Sequence, residues 1–184
     1  MDNKARLIKY IREHSFRKSD KPVFRLSSGN VSNFYFDMKK TTYSPEGLYL
    51  TGNLVFDMIK KLGLRPKAVG GLTMGADPIA AATAFCSYLR GEPVSAIVIR
   101  KEPKDHGTGS QVEGDMQEGA DVVIIDDVVT TGGSTIKAIE AAKKAGLNIL
   151  AVIILLDRCE FEGRQNIEKL GYTVYSILTI KDFD

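Results

Sequence analysis

Three stretches, VSAIVIR at 94–100, DVVIID at 121–126 and NILAVIILLDR at 148–158, are almost unbroken runs of Val, Ile and Leu. A strand with one wet face alternates apolar and polar residues. A strand apolar on both sides must be covered on both, which is the condition of a parallel sheet between helices. Segments with helical punctuation precede and separate these runs. PEGLYLTGNLVFDMIKKLG opens at Pro45 and stops near Gly63, and STIKAIEAAKKAG stops at Gly146. DPIAAATAFCSYLRG has Asp77 as its expected N-cap, Pro78 in the first turn and Gly91 past the end. KAVGG at 67–71 and YTVYSILT at 172–179 read as further strands, and QNIEKLG as a short helix. This alternation predicts an α/β fold with a mostly parallel central sheet flanked by helices.

The N-terminal part differs. Residues 3–14 predict an amphipathic helix with Leu7, Ile8 and Ile11 on one side. Residues 23–37, VFRLSSGNVSNFYFD, predict two short strands around a Ser-Gly-Asn turn. A chain of 184 residues suits one domain, 1–184, with residues 1–40 packed on its core.

Composition removes several function classes. A net charge of +2 gives no reason to expect nucleic acid or a membrane surface as partner. No apolar run approaches the ~18–20 residues that span a bilayer, and MDNKARLIKYIREHSF lacks the apolar centre of a signal peptide. Cys86 and Cys159 stand far apart with no CxxC or HExxH pattern, so no protein metal site of Cys and His is expected. Cys86 lies in AATAFCSYL and reads as core. With no disulfide suggested, a cytoplasmic location follows.

In parallel sheets ligands bind beyond the carboxyl ends of the strands. Three segments are expected there: LTMGAD at 72–77, RKEPKDHG at 100–107 and DDVVTTGGS at 126–134. Thr130, Thr131, Gly132, Gly133 and Ser134 lead into a helix. Glycines let backbone N–H groups approach an anion, the first-turn N–H groups lack intrahelical partners, and the helix dipole favours negative charge. Hydroxyls add donors. This is a cradle for a phosphate monoester, and it matches neither GxxxxGK[ST] nor GxGxxG. Asp126 and Asp127 would repel phosphate but accept hydrogen bonds from vicinal hydroxyls and balance positive charge on a sugar ring. A phosphorylated ribose satisfies both halves. The segment 101–120, KEPKDHGTGSQVEGDMQEGA, is long for a loop inside a domain, and such loops are usually functional.

VVIIDDVVTTGGST at 122–135 resembles the ribose-phosphate signature of the type I phosphoribosyltransferases. RKEPKDHGTGSQVEG, FRLSSGNVSNFYFD and VGGLTMGADPIA resemble segments of the branch that acts on orotate, in the same order along the chain. The resemblance implies the type I fold with a small N-terminal hood. It also implies transfer of 5-phosphoribose from phosphoribosyl diphosphate to orotate, with Mg²⁺ carried on substrate oxygens. By position, it implies that Asp126 and Asp127 hold the ribose hydroxyls and Thr130 to Ser134 the 5-phosphate, with Val128 and Val129 between them. Arg100, Lys101, Lys104 and His106 would meet the diphosphate. Asp105 and Lys101 would be catalytic, Asp105 through proton handling or loop positioning. Thr130 and Arg158 would contact orotate. A homodimer that shares loop residues across its interface is implied as well.

The chain departs from many relatives at Ser27, where they carry lysine, and at Leu72-Thr73-Met74-Gly75, where they carry a Tyr-Lys pair. The cationic loop suits a leaving diphosphate on physical grounds, because preorganised donors aimed at developing charge are a large catalytic term. A closing lid would keep water from an oxocarbenium-like ribose. Arg158 offers a planar fork for the carboxylate that distinguishes orotate from uracil. The rival readings are action on another base, or a transcription regulator that senses phosphoribosyl diphosphate. The 22 N-terminal residues are too short for a winged helix.

Overall fold

The apolar runs build one central sheet in a computed structural model that describes residues 2–26, 29–103 and 110–183. The N-terminal part contains α1 (Asn3–His14), β1 (Phe16–Lys18), β2 (Phe24–Arg25), β3 (Val31–Ser32), β4 (Phe34–Phe36) and α2 (Lys39–Thr42). Then come α3 (Pro45–Lys61), β5 (Ala68–Leu72), α4 (Asp77–Leu89), β6 (Ser95–Ile99) and β7 (Val112–Glu113). The chain ends with β8 (Asp121–Val129), α5 (Gly133–Lys144), β9 (Asn148–Asp157), α6 (Gly163–Glu168), β10 (Val174–Thr179) and a 3₁₀ turn, Ile180–Phe183.

The sheet order is β10-β9-β8-β5-β6-β7. Five strands run parallel, and β7 alone pairs antiparallel, on the β6 edge. The chain leaves β5 for β6 on one side, then crosses back to β8 on the other. The order therefore reverses between β5 and β8, and a crevice opens there at the carboxyl ends.

Helices cover both faces. Leu7, Ile11, Leu50, Val55 and Ile79 from α1, α3 and α4 pack on Val123, Ile125 and Ile153. On the opposite face Ile139, Ala142 and Ile167 pack on Val122, Ile124, Val152 and Ile154. Alternate residues of β8 thus feed different layers, as a period of two demands. Each such fully buried side chain contributes roughly 1.5–3 kcal/mol. A Cβ on Gly52 would meet the Ala82 backbone at 2.7 Å, so glycine sets the close approach of α3 and α4.

The N-terminal segment shares this core. Leu7 and Ile11 of α1 are fully buried. Strand β1 pairs with β4, Phe16 opposite Phe36, and β2 pairs with β3, Phe24 opposite Ser32. Phe36 packs its ring 4.8 Å from that of Phe16 and 5.2 Å from that of Phe183. The sequence pattern missed β1, because its partner lies twenty residues away. Ala76, not Asp77, is the N-cap of α4, and it makes no side-chain cap. Ala76 already has helical dihedrals (φ −79°, ψ −28°), so the helix starts one residue earlier than expected. Among the described residues no helix is long and apolar enough to cross a membrane.

Candidate active site

Strand β8 does not stop at the two acids. Its pairing with β9 continues through Val128↔Leu156 and Val129↔Asp157. Asp126 and Asp127 therefore sit inside a strand rather than at its end, with their carboxyl groups within reach of each other. The strand expected over 121–126 instead runs on to Val129.

Asp126 turns toward α5 and is only 5% exposed. Its Oδ2 accepts a hydrogen bond from Thr135 Oγ1 at 2.6 Å, and its Oδ1 accepts one from the Asp127 N–H at 3.0 Å. Burial pushes its carboxyl up to about 8. The neighbouring Asp127 adds to the rise and the two hydrogen bonds oppose it. Asp127 turns toward the loop after β5, where a Cβ on Gly75 would lie 2.6 Å from Asp127 Oδ1. That Oδ1 accepts from the Val128 N–H at 2.8 Å. Burial raises this carboxyl as well, while the Val128 N–H and the Lys39 ammonium are among the groups that pull it back.

The loop after β5 is fixed from two sides. Thr73 Oγ1 donates to Asp77 Oδ2 at 2.7 Å, and Tyr43 Oη donates to the Met74 carbonyl at 3.4 Å. The Thr73–Met74 peptide is cis.

A cavity of about 520 Å³ opens over the carboxyl end of β8. The run Val128 to Thr135 lines it together with Leu72, Lys101, Glu102, Asp126 and Lys137. Gly132 caps α5 with φ +83°, a conformation that costs a side chain but not glycine. Gly133, Ser134 and Thr135 line this space, and first-turn N–H groups of a helix lack intrahelical partners, as an anion site requires.

The structure thus gathers Asp126, Val128, Val129, Thr130, Thr131, Gly132, Gly133, Ser134 and Lys101 around one cavity. Asp127 does not line it and lies beside Gly75. Arg100 does not line the cavity: its Nη1 is 3.6 Å from Glu113 Oε1 at the β7 edge. Lys104, Asp105, His106 and Ser27 lie outside the described residues.

Arg158 follows β9 and is 2% exposed. Its Nε and Nη2 donate to Glu160 Oε2 at 2.9 and 2.7 Å. Nη2 also donates to Ser32 Oγ at 2.9 Å and to the Phe34 carbonyl at 3.0 Å. Ser32 Oγ donates in turn to Glu160 Oε1 at 2.9 Å. The expected planar fork is therefore committed to a carboxylate of this chain and to the hood, and Nη1 is the nitrogen outside these bonds.

Sequence reasoning missed Thr135, Lys137, Lys39, Glu160 and Ser32. Thr135 carried a usable signal as one more hydroxyl after the TTGGS turn. Lys137 and Glu160 lie close in sequence to Ser134 and Arg158, whereas Lys39 and Ser32 meet the site through contacts between distant segments, which leave no local pattern.

Comparison with known proteins places this geometry in context. Residues 49–183 match the phosphoribosyl transferase domain family. The orotate phosphoribosyltransferase of Aquifex aeolicus is 43% identical over 182 residues, covering 99% of this chain and 98% of its own. A crystal structure of Mycobacterium tuberculosis orotate phosphoribosyltransferase in complex with Fe(III) dicitrate superposes with a TM-score of 0.83 at 31% identity, over 98% of each chain. The same enzyme in complex with 5-phospho-alpha-D-ribosyl 1-diphosphate gives 0.78 at 26% identity, over 99% of this chain and 92% of that one.

Proposed function

The chain belongs to the phosphoribosyltransferase family, and from that membership we propose which of its residues carry out the reaction of the orotate branch. It transfers 5-phosphoribose from 5-phosphoribosyl 1-diphosphate to orotate, giving orotidine 5-phosphate and diphosphate in pyrimidine biosynthesis. The bond from ribose C1 to the diphosphate oxygen breaks, the bond from C1 to orotate N1 forms, and N1 gives up its proton.

The observation that carries the residue assignments is the cradle at the N-terminus of α5 beside Asp126, at the point where the strand order reverses. Thr130 to Ser134 hold the 5-phosphate. The ribose lies across the end of β8, between Asp126 and Asp127, with Val128 and Val129 beneath it. Each Asp126 oxygen accepts one protein donor and keeps a lone pair for a ribose hydroxyl. Asp127 meets ribose hydroxyls through Oδ2, which its bond to Val128 does not use. Lys101 in the cavity takes the diphosphate, joined by Arg100, Lys104 and His106, and Asp105 handles the proton. Thr130 and Arg158 contact the base.

Mg²⁺ fits this donor set. It keeps several waters and binds through one or two carboxylates plus substrate phosphates, and Asp127 offers such a carboxylate at the crevice. Asp127 would hold the ion, which would offset charge on the diphosphate as it leaves. Among the described residues no cluster of three His, Cys, Asp or Glu side chains could hold a metal ion without substrate.

The enzyme works as a homodimer in the cytoplasm. A groove of about 610 Å³ between α3 and α4 is lined mainly by apolar side chains, among them Leu48, Tyr49, Phe85 and Leu89. Phe85, Tyr88 and Leu89 are more than 60% exposed, and a patch of this kind marks an interface. The two free cysteines suit a reducing compartment.

The direct test follows orotate absorbance with phosphoribosyl diphosphate and Mg²⁺, with uracil as control. Loss of orotate that depends on both components is expected. Absence of any orotate-dependent change would overturn the choice of base.

A further inference from the structure

The loop from Cys159 to Glu162 follows an unusual path. Cys159, Phe161 and Glu162 have φ of 53°, 53° and 54°, a left-handed region that non-glycine residues rarely enter. Backbone of this kind persists only where surrounding structure enforces it, and it clusters at functional sites. Here it folds Glu160 back over Arg158, two residues earlier in the chain. Three side chains then close a ring of hydrogen bonds: Arg158 to Glu160, Arg158 to Ser32, and Ser32 to Glu160. The same loop supports the phosphate cradle. A Cβ on Gly163 would lie 2.3 Å from the Thr130 carbonyl oxygen, and one on Gly132 would lie 2.7 Å from that of Gly163.

We infer that Glu160 is a positioning and specificity-determining residue for the base. It holds the Arg158 guanidinium in one plane, leaves Nη1 as the donor presented to the carboxylate of orotate, and fixes the hood strand β3 in register through Ser32. The inference rests on the assignment of Arg158 to the base. Its physical logic is preorganisation. A buried arginine with several rotatable bonds presents a donor reliably only when its other donors are tied down. The side chain of Arg158 is 3% exposed and that of Glu160 27% exposed. The pair is thus anchored on the arginine side and open to water on the carboxylate side, so the anchor holds without burying a second charge completely.

Four variants test this: Glu160→Ala, Glu160→Gln, Ser32→Ala and Arg158→Ala. KM would be measured for orotate and for phosphoribosyl diphosphate, and kcat/KM compared for orotate and uracil. Glu160→Ala should raise the orotate KM roughly 10-fold, the scale of a lost hydrogen bond to a charged group. It should leave the phosphoribosyl diphosphate KM unchanged and reduce the preference for orotate over uracil. Glu160→Gln keeps an acceptor for the Nε–H and should recover part of the loss, and Ser32→Ala should act in the same direction more weakly. If Glu160→Ala does not fold, the Gln and Ser32 variants carry the same test.

Parallel changes in both KM values would make Glu160 merely structural, and a lower orotate KM would make it a competitor of the substrate. Either result overturns the inference. If Arg158→Ala raises the orotate KM while the Glu160 variants are silent, only the positioning role fails. If Arg158→Ala leaves it unchanged, the assignment of Arg158 itself fails.

Discussion

Thr135 on α5 and Asp126 on β8 are joined by a 2.6 Å hydrogen bond in which the threonine hydroxyl donates to a carboxylate 5% exposed to solvent. The bond ties α5 to the strand that ends in the crevice. It leaves that oxygen a second lone pair, so a carboxylate read from sequence as a ligand for sugar hydroxyls keeps acceptor capacity.

Removing that donor should be costly. Thr135→Val leaves a buried carboxyl oxygen without a partner, at about 1–3 kcal/mol. Urea unfolding should show a loss of this size, with turnover reduced because α5 shifts against β8. Thr135→Ser, which keeps the hydroxyl, should restore most of both. An unchanged midpoint for Thr135→Val would show that the bond contributes nothing to the fold.

The raised pKa of Asp126 has a signed consequence. Its folded value, about 8, stands above the ordinary unfolded value of about 3.9. Between these the unfolded chain releases a proton that the folded chain keeps, so the stability from this group is full below about pH 4 and is lost as pH rises toward 8. Asp126→Asn cannot titrate. The melting temperature of the unliganded wild type should therefore fall relative to that of Asp126→Asn from pH 5 to pH 8. A difference that is flat, or that moves the other way, would mean that the carboxyl is ionised in the folded state.

Gly75 controls where Asp127 points. A Cβ there would lie 2.6 Å from Oδ1, an atom at the end of a side chain that can swing away. Gly75→Ala should leave the melting temperature nearly unchanged and raise the KM for phosphoribosyl diphosphate more than that for orotate. Equal effects on both substrates would detach Asp127 from the ribose.

Lys101 lines the same cavity as the Thr130–Thr135 turn of its own chain. If it serves its own site, mixed dimers of Lys101→Ala and Asp127→Asn chains carry one lesion in each site and should stay inactive. Recovery of activity on mixing would assign Lys101 to the neighbouring subunit instead.

The exposed groove of α3 and α4 should be the contact between subunits. Introducing charge with Phe85→Glu and Leu89→Glu together should shift the mass measured by light scattering from dimer to monomer while circular dichroism stays native. A dimer that survives both changes would move the interface elsewhere.

Some of this was determined by the sequence alone. Continuous Val and Ile runs suit a sheet covered on both faces, so the parallel architecture was legible. The turn before α5 was legible too, because glycine and hydroxyl residues before a helix set its start through local backbone geometry. The tertiary structure decided what depends on distant partners. Asp126 and Asp127 lie inside a strand because β9 keeps pairing with β8 through Val128 and Val129, and nothing in DDVV specifies how far a neighbouring strand extends. Strand β1 exists because Phe16 finds Phe36. The commitment of Arg158 to Glu160 and to Ser32, 126 residues away, depends on where the hood comes to rest on the core. Local periodicity sets which residues are buried, and only the packed chain sets which polar group each of them meets.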